Sequence, residues 1–77
     1  IVFGATGNAA IGTATDNGFK LDVIGTARAT QFQISALNTA PATATSTGVL
    51  GEIRIVNGAI YVCVATNTWQ RALLTTF

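Results

Sequence analysis

The sequence predicts an all-β protein on three observations. Residues Glu52-Ile53-Arg54-Ile55-Val56 alternate polar and apolar and run into Asn57-Gly58, a dipeptide suited to a two-residue hairpin turn that needs positive φ. Phe19-Lys20-Leu21-Asp22-Val23 alternates in the same way after the turn signal Asp16-Asn17-Gly18. Finally, the segments between these runs are poor helices. Asn8, Gly12, Thr13, Thr15 and Gly18 crowd the first, and Ala42 to Gly48 carries no long apolar side chain and no period.

Composition limits how such a fold is stabilised. A chain of 77 residues is one small domain at most, and one of that size buries only roughly 60–65% of its unfolded surface. A single cysteine, Cys63, forms no intrachain disulfide, and without histidine there is no Cys/His zinc set. Only 9% of residues are charged, against about a quarter in soluble domains. Much of the apolar surface is therefore expected to face other copies of the chain. A net charge of +1 with scattered basic residues gives no footprint for nucleic acid or an anionic membrane. No apolar run reaches the length of a membrane-spanning helix and no signal segment opens the chain. A start at Ile1 rather than methionine points to a piece of something longer.

In chain order, Ile1 to Phe3 reads as a strand entering the glycine loop Gly4-Ala5-Thr6-Gly7. That loop also opens one class of dinucleotide-binding fold, so an oxidoreductase fragment beginning at Gly4 is a remote alternative. It requires a helix after the glycines, which the following residues do not encode, and a βαβ unit. Phe19 to Val23 and then Ala27 to Phe32 read as two short strands joined by a corner at Gly25. Small side chains in the second suit close approach of neighbouring backbones, as at the axis of a narrow fibrous assembly.

In the last third, Gly51 to Phe77 reads as a β-meander. Counting outward from Asn57-Gly58 sets Val56 opposite Ala59, Ile55 opposite Ile60, Arg54 opposite Tyr61, Ile53 opposite Val62 and Glu52 opposite Cys63. Ile53, Ile55, Ile60 and Val62 then share one face, with Glu52, Arg54, Tyr61 and Cys63 on the other, solvent, side. A second two-residue turn at Thr66-Asn67 would pair Val64 with Trp69, Val62 with Arg71 and Ile60 with Leu73. This brings Trp69 and Leu73 to the apolar face and Arg71 with them; a one-residue bulge would move Arg71 outward. Both registers remain open.

Ile11-Gly12-Thr13, Lys20-Leu21-Asp22-Val23 and Gly25-Thr26-Ala27-Arg28-Ala29-Thr30 together resemble a segment that recurs in bacteriophage tail fibres. Gly51-Glu52-Ile53-Arg54 and Ile60 to Arg71 resemble a short tip at the C-terminus of many such fibres. The resemblance implies an intertwined parallel homotrimer with a fibre shaft end over 1–34, an Ala/Thr/Ser-rich linker over 35–50 and a tip over 51–77. The linker could also lie extended along a neighbouring chain. Also implied are a place in the virion after assembly in the host cytoplasm, contact with other tail proteins, and recognition of a host-surface polysaccharide or protein. A segment that only trimerises and caps the fibre is the alternative. The intramolecular-chaperone peptidase that often follows this segment in the family has no counterpart here.

The residues offer little chemistry. Asp16, Asp22 and Glu52 are isolated in sequence, and Ser35 and Ser46 have no histidine to activate them, so no catalytic residue, metal ligand or cofactor site is assigned. Cys63, between Val62 and Val64, reads as a small packed residue. Glu52, Arg54 and Tyr61 form the one mixed aromatic and charged patch and are the candidate receptor contacts. Ile53, Ile55, Ile60, Val62, Val64, Trp69 and Leu73 are the candidates for a trimer core.

Overall fold

The computed structural model describes residues 2–3 and 5–77, with only the backbone of Val2 and Phe3. Ile1 and Gly4, which the sequence puts in the first strand and the glycine loop, lie outside the described residues. All regular structure among the described residues is β, as the sequence predicts, in six strands forming two three-stranded sheets. The chain divides into two compact units, 1–32 and 33–77.

In the first unit, β1 (Val2–Phe3) pairs antiparallel with β2 (Ala9–Ile11), and β2 pairs parallel with β3 (Leu21–Val23). A strand thus follows the glycine loop where a nucleotide-binding fold needs a helix. β2 is not foreseen by the sequence pattern, because Ala9-Ala10-Ile11 is too short to show alternation. The loop between the parallel strands is organised by Asp16. Its carboxylate accepts from Thr6 Oγ1 (2.6 Å), Asn8 Nδ2 (3.0 Å) and the Gly18 amide (2.9 Å). Gly12, at φ 84°, lies so close to Ile24 that a Cβ there would sit 2.5 Å from the Ile24 carbonyl oxygen. The expected second strand over Ala27 to Phe32 does not form. Its small side chains find no partner strand in this unit, and Phe32 is exposed.

The second unit is the meander. β4 (Ile53–Val56) and β5 (Ala59–Ala65) adopt the expected register, Ile53 to Val62, Arg54 to Tyr61, Ile55 to Ile60 and Val56 to Ala59. The Cys63 amide donates to the Glu52 carbonyl at 2.9 Å, which extends the hairpin by the foreseen contact. Only Gly58 in the turn has positive φ (87°), so Asn57-Gly58 follows the φ pattern of a type II turn rather than the mirror-image form with two positive angles.

β6 (Thr68–Leu73) departs from the two-residue-loop register by one position. Thr66-Asn67 is the turn, with Asn67 at φ 53°, but a bulge at Val64 intervenes between the pairs Ala65–Thr68 and Cys63–Trp69. Trp69 consequently faces Cys63 rather than Val64, Arg71 faces Tyr61 rather than Val62, and Leu73 faces Ala59 rather than Ile60. Cys63 supports the irregularity by donating its Sγ–H to the Ala65 carbonyl at 3.0 Å.

The bulge also decides which face is covered. Residues 38–48 have no strand of their own, yet they cross the sheet from one edge to the other. At the β4 edge, Asn38 exchanges two 2.7 Å bonds with Ile55, amide to carbonyl and Ile55 amide to Asn38 Oδ1. At the β6 end, the Trp69 amide donates to the Ala44 carbonyl (2.8 Å), and Asn67 and Gly48 bond reciprocally at 3.0 Å. Trp69 Nε1 donates to the Ser46 carbonyl (3.0 Å). This stretch, part of the expected Ala/Thr/Ser-rich linker over 35–50, covers Cys63 (0% exposed) and Trp69 (5%) in the same chain. Within the single chain the covering segment thus lies on the side of the sheet that carries the charged residues and Tyr61. The Glu52, Arg54, Tyr61 and Cys63 side is the covered one, and the aliphatic side is open, with Ile53 60% and Val62 36% exposed.

Candidate functional site

Tyr61, Trp69 and Arg71 come together because β5 and β6 alternate and the bulge brings Arg71 opposite Tyr61. With the turn at 41–44 and Gln70 they line a groove of about 370 Å³. The turn is held by Ser46, whose Oγ accepts from the Thr43 amide (2.9 Å) while its own amide donates to the Thr43 carbonyl (3.2 Å). Arg71 Nη1 donates to Tyr61 Oη at 3.4 Å, a long bond that leaves other guanidinium donors unused. Arg71 has no carboxylate partner among the described residues.

Arg54 is in a different situation. Its Nε donates to Glu52 Oε2 at 2.9 Å, its Nη1 to the Thr39 carbonyl at 3.3 Å, and its guanidinium lies 4.7 Å from the centre of the Trp69 ring. Such a stacked, ion-paired arginine holds the covering segment and the sheet together. Glu52 also closes the turn before β4 by accepting from the Val49 amide (3.2 Å). The Arg54 hydrogen bond, then the Val49 amide, holds the Glu52 carboxyl below its ordinary range. Of the three candidate receptor contacts, Glu52 and Arg54 are therefore engaged within the chain, and Tyr61 alone lines the groove.

The seven residues expected in a trimer core divide between the two faces. Ile53, Ile55, Ile60 and Val62 share the open face, where Ile60, Val62 and the bulged Val64 line a shallow apolar depression of about 400 Å³. Trp69 is buried on the opposite face, and Leu73, opposite Ala59, is exposed.

In the first unit, Asp16 and Asp22 border one small depression with Asn8 and Asn17. Thr6, then Asn8 and the Gly18 amide, holds the Asp16 carboxyl below its ordinary range, and Asp22 accepts from Asn17 Nδ2 at 2.7 Å. Both carboxylates serve the loop. No group of three potential metal-binding side chains occurs among the described residues, and no helix there is long and apolar enough to cross a membrane.

Sequence reasoning missed Gln70, Arg71 and the 41–44 turn as parts of one groove. The side of Arg71 depended on a bulge that alternation does not encode, and the turn comes from a stretch whose Ala and Thr residues carry no pattern.

The chain is similar to a capsule-specific depolymerase, "Depolymerase 1, capsule K30/K69-specific", of Klebsiella phage K5-2, at 54% identity over 35 residues. The match covers 46% of this chain and 4% of the depolymerase's length. No protein-family model matches the chain, and no solved structure matches it.

Proposed function

We propose that this chain is a distal part of a phage tail fibre or spike, a virion protein that assembles as a homotrimer and takes part in recognising the host surface without catalysis. The similarity to a capsule-specific phage protein carries this reading. The tail-fibre resemblance of the segments around Lys20 to Thr30 and Ile60 to Arg71 agrees with it.

Hydrogen bonds from Thr6 and from Arg54 tie the carboxylates of Asp16 and Glu52 into their own loops, and in this reading neither takes part in chemistry. One observation favours a second reading, in which the tip only trimerises and caps the fibre: the aliphatic face of β4, β5 and β6 is the larger unpartnered feature of the tip.

Adsorption separates the two. Labelled chain incubated with a panel of capsulated Klebsiella strains and their acapsular derivatives is expected to bind the capsulated cells of at least one type, in competition with the soluble polysaccharide. Binding indifferent to capsule throughout the panel leaves the capping role. New reducing ends appearing in the polysaccharide would overturn the non-catalytic assignment.

A further inference from the structure

We propose that the groove between the 41–44 turn and Tyr61, Gln70 and Arg71 binds a carboxylated sugar residue, such as a uronic acid, with Arg71 taking the carboxylate. This rests on the host-recognition reading and assigns it a site and a ligand class.

Charge is the first argument. Arg54, the other arginine of the tip, is neutralised by Glu52 and stacked on Trp69, while Arg71 stands in the groove without a carboxylate among the described residues. A guanidinium in that condition offers a planar pair of donors matched to a carboxylate. Shape is the second. At about 370 Å³ the groove is near the small end of the roughly 300–1,000 Å³ range of small-molecule sites, which suits one or two sugar rings rather than a long chain. The third argument is the lining. Tyr61, opposite Arg71 on the same face of the sheet, supplies an aromatic surface for the apolar face of a pyranose and a hydroxyl beside the guanidinium. Rigidity is the fourth, since the turn is closed on itself by the Thr43–Ser46 bonds and pinned to the sheet by the Trp69 amide and the Trp69 indole.

The test uses the 77-residue chain and a glucuronate-containing disaccharide, with the same disaccharide bearing glucose in its place and with sodium acetate as comparisons. Binding is read from the indole N–H signal of Trp69, the single tryptophan, and from the backbone amides of 41–44 and 70–71. The expected result is saturable binding of the charged disaccharide, weakened at least tenfold by R71Q and by the neutral sugar, and unchanged by R28Q. The Trp69 indole signal of free R71Q staying in place certifies that the fold is intact. Equal binding of the two disaccharides, equal binding of acetate, or an unaffected R71Q overturns the site. If R71Q leaves adsorption to capsulated cells untouched, the site fails while host recognition stands. If the unaltered chain adsorbs to no capsulated strain, host recognition itself fails.

Discussion

Asp16 illustrates how single residues do in this chain what a hydrophobic core does in larger ones. Three donors converge on an exposed carboxylate and close the loop between two parallel strands. Because those donors favour the ionised form, the folded first unit binds fewer protons than the unfolded chain around the carboxylate range. Its contribution to stability is complete above the unfolded pKa and is lost as pH falls through the lowered folded value. Amide signals of residues 8–23 followed by NMR from pH 7 downward are therefore expected to lose dispersion on the acid side. D16N is expected to start from lower stability and to show a shallower acid dependence. Equal steepness in both proteins would assign the acid response to another group. The effect weakens with added salt, since the carboxylate is open to solvent.

At the level of elements, the β4–β5 hairpin was legible in the sequence down to its register, whereas β6 was legible as a strand returning after Thr66-Asn67 but its register, with or without a one-residue bulge, was not. Alternation and Asn57-Gly58 fix the first pairing because each apolar residue has an equivalent one opposite it. The second pairing turns on one extra residue, Val64, and nothing in Cys63-Val64-Ala65 marks which of three small or aliphatic residues will bulge. One position of slip moves Trp69 from the open face to the covered one, and that exchange accounts for most of what the sequence misplaced in the tip. Residues 38–48 escaped notice for a related reason, since they attach through backbone groups, Asn38 and glycine contact rather than through apolar side chains. Gly48 is the point of closest approach. A Cβ there would lie 2.6 Å from Trp69 Cζ2 and 2.8 Å from Cys63 Sγ. G48A should therefore lift the segment off the sheet and cost about 1–3 kcal/mol, the usual range for overpacking. Urea unfolding followed by Trp69 emission checks it, with a red-shifted folded baseline expected as water reaches the indole. An unchanged midpoint and baseline would mean that the segment does not clamp the sheet.

For the molecule as a whole, the decisive quantity is its mass in solution. The second unit buries Ala59, Cys63 and Trp69 on one face of its sheet, and across the sheet Ile53, Val62 and Val64 are exposed in the single chain. The first unit likewise exposes Phe19, Leu21 and Ile24. Apolar surface of this extent on a chain with 9% charged residues is what the proposed assembly would cover. A parallel assembly around the fibre axis would bury the same stripe from every copy against itself, so that symmetry closes the contact. Sedimentation equilibrium at micromolar concentration is expected to give three times the 7.9 kDa chain mass. Val62→Asp adds a like charge to every copy at the centre of that face and is expected to shift the mass toward 7.9 kDa. It should leave the Trp69 environment nearly unchanged, because Trp69 packs on the opposite side of the sheet. That pairing of outcomes separates assembly from folding. A monomeric unaltered chain sinks the trimer, and a trimer that persists in the Val62→Asp variant moves the interface off the aliphatic face.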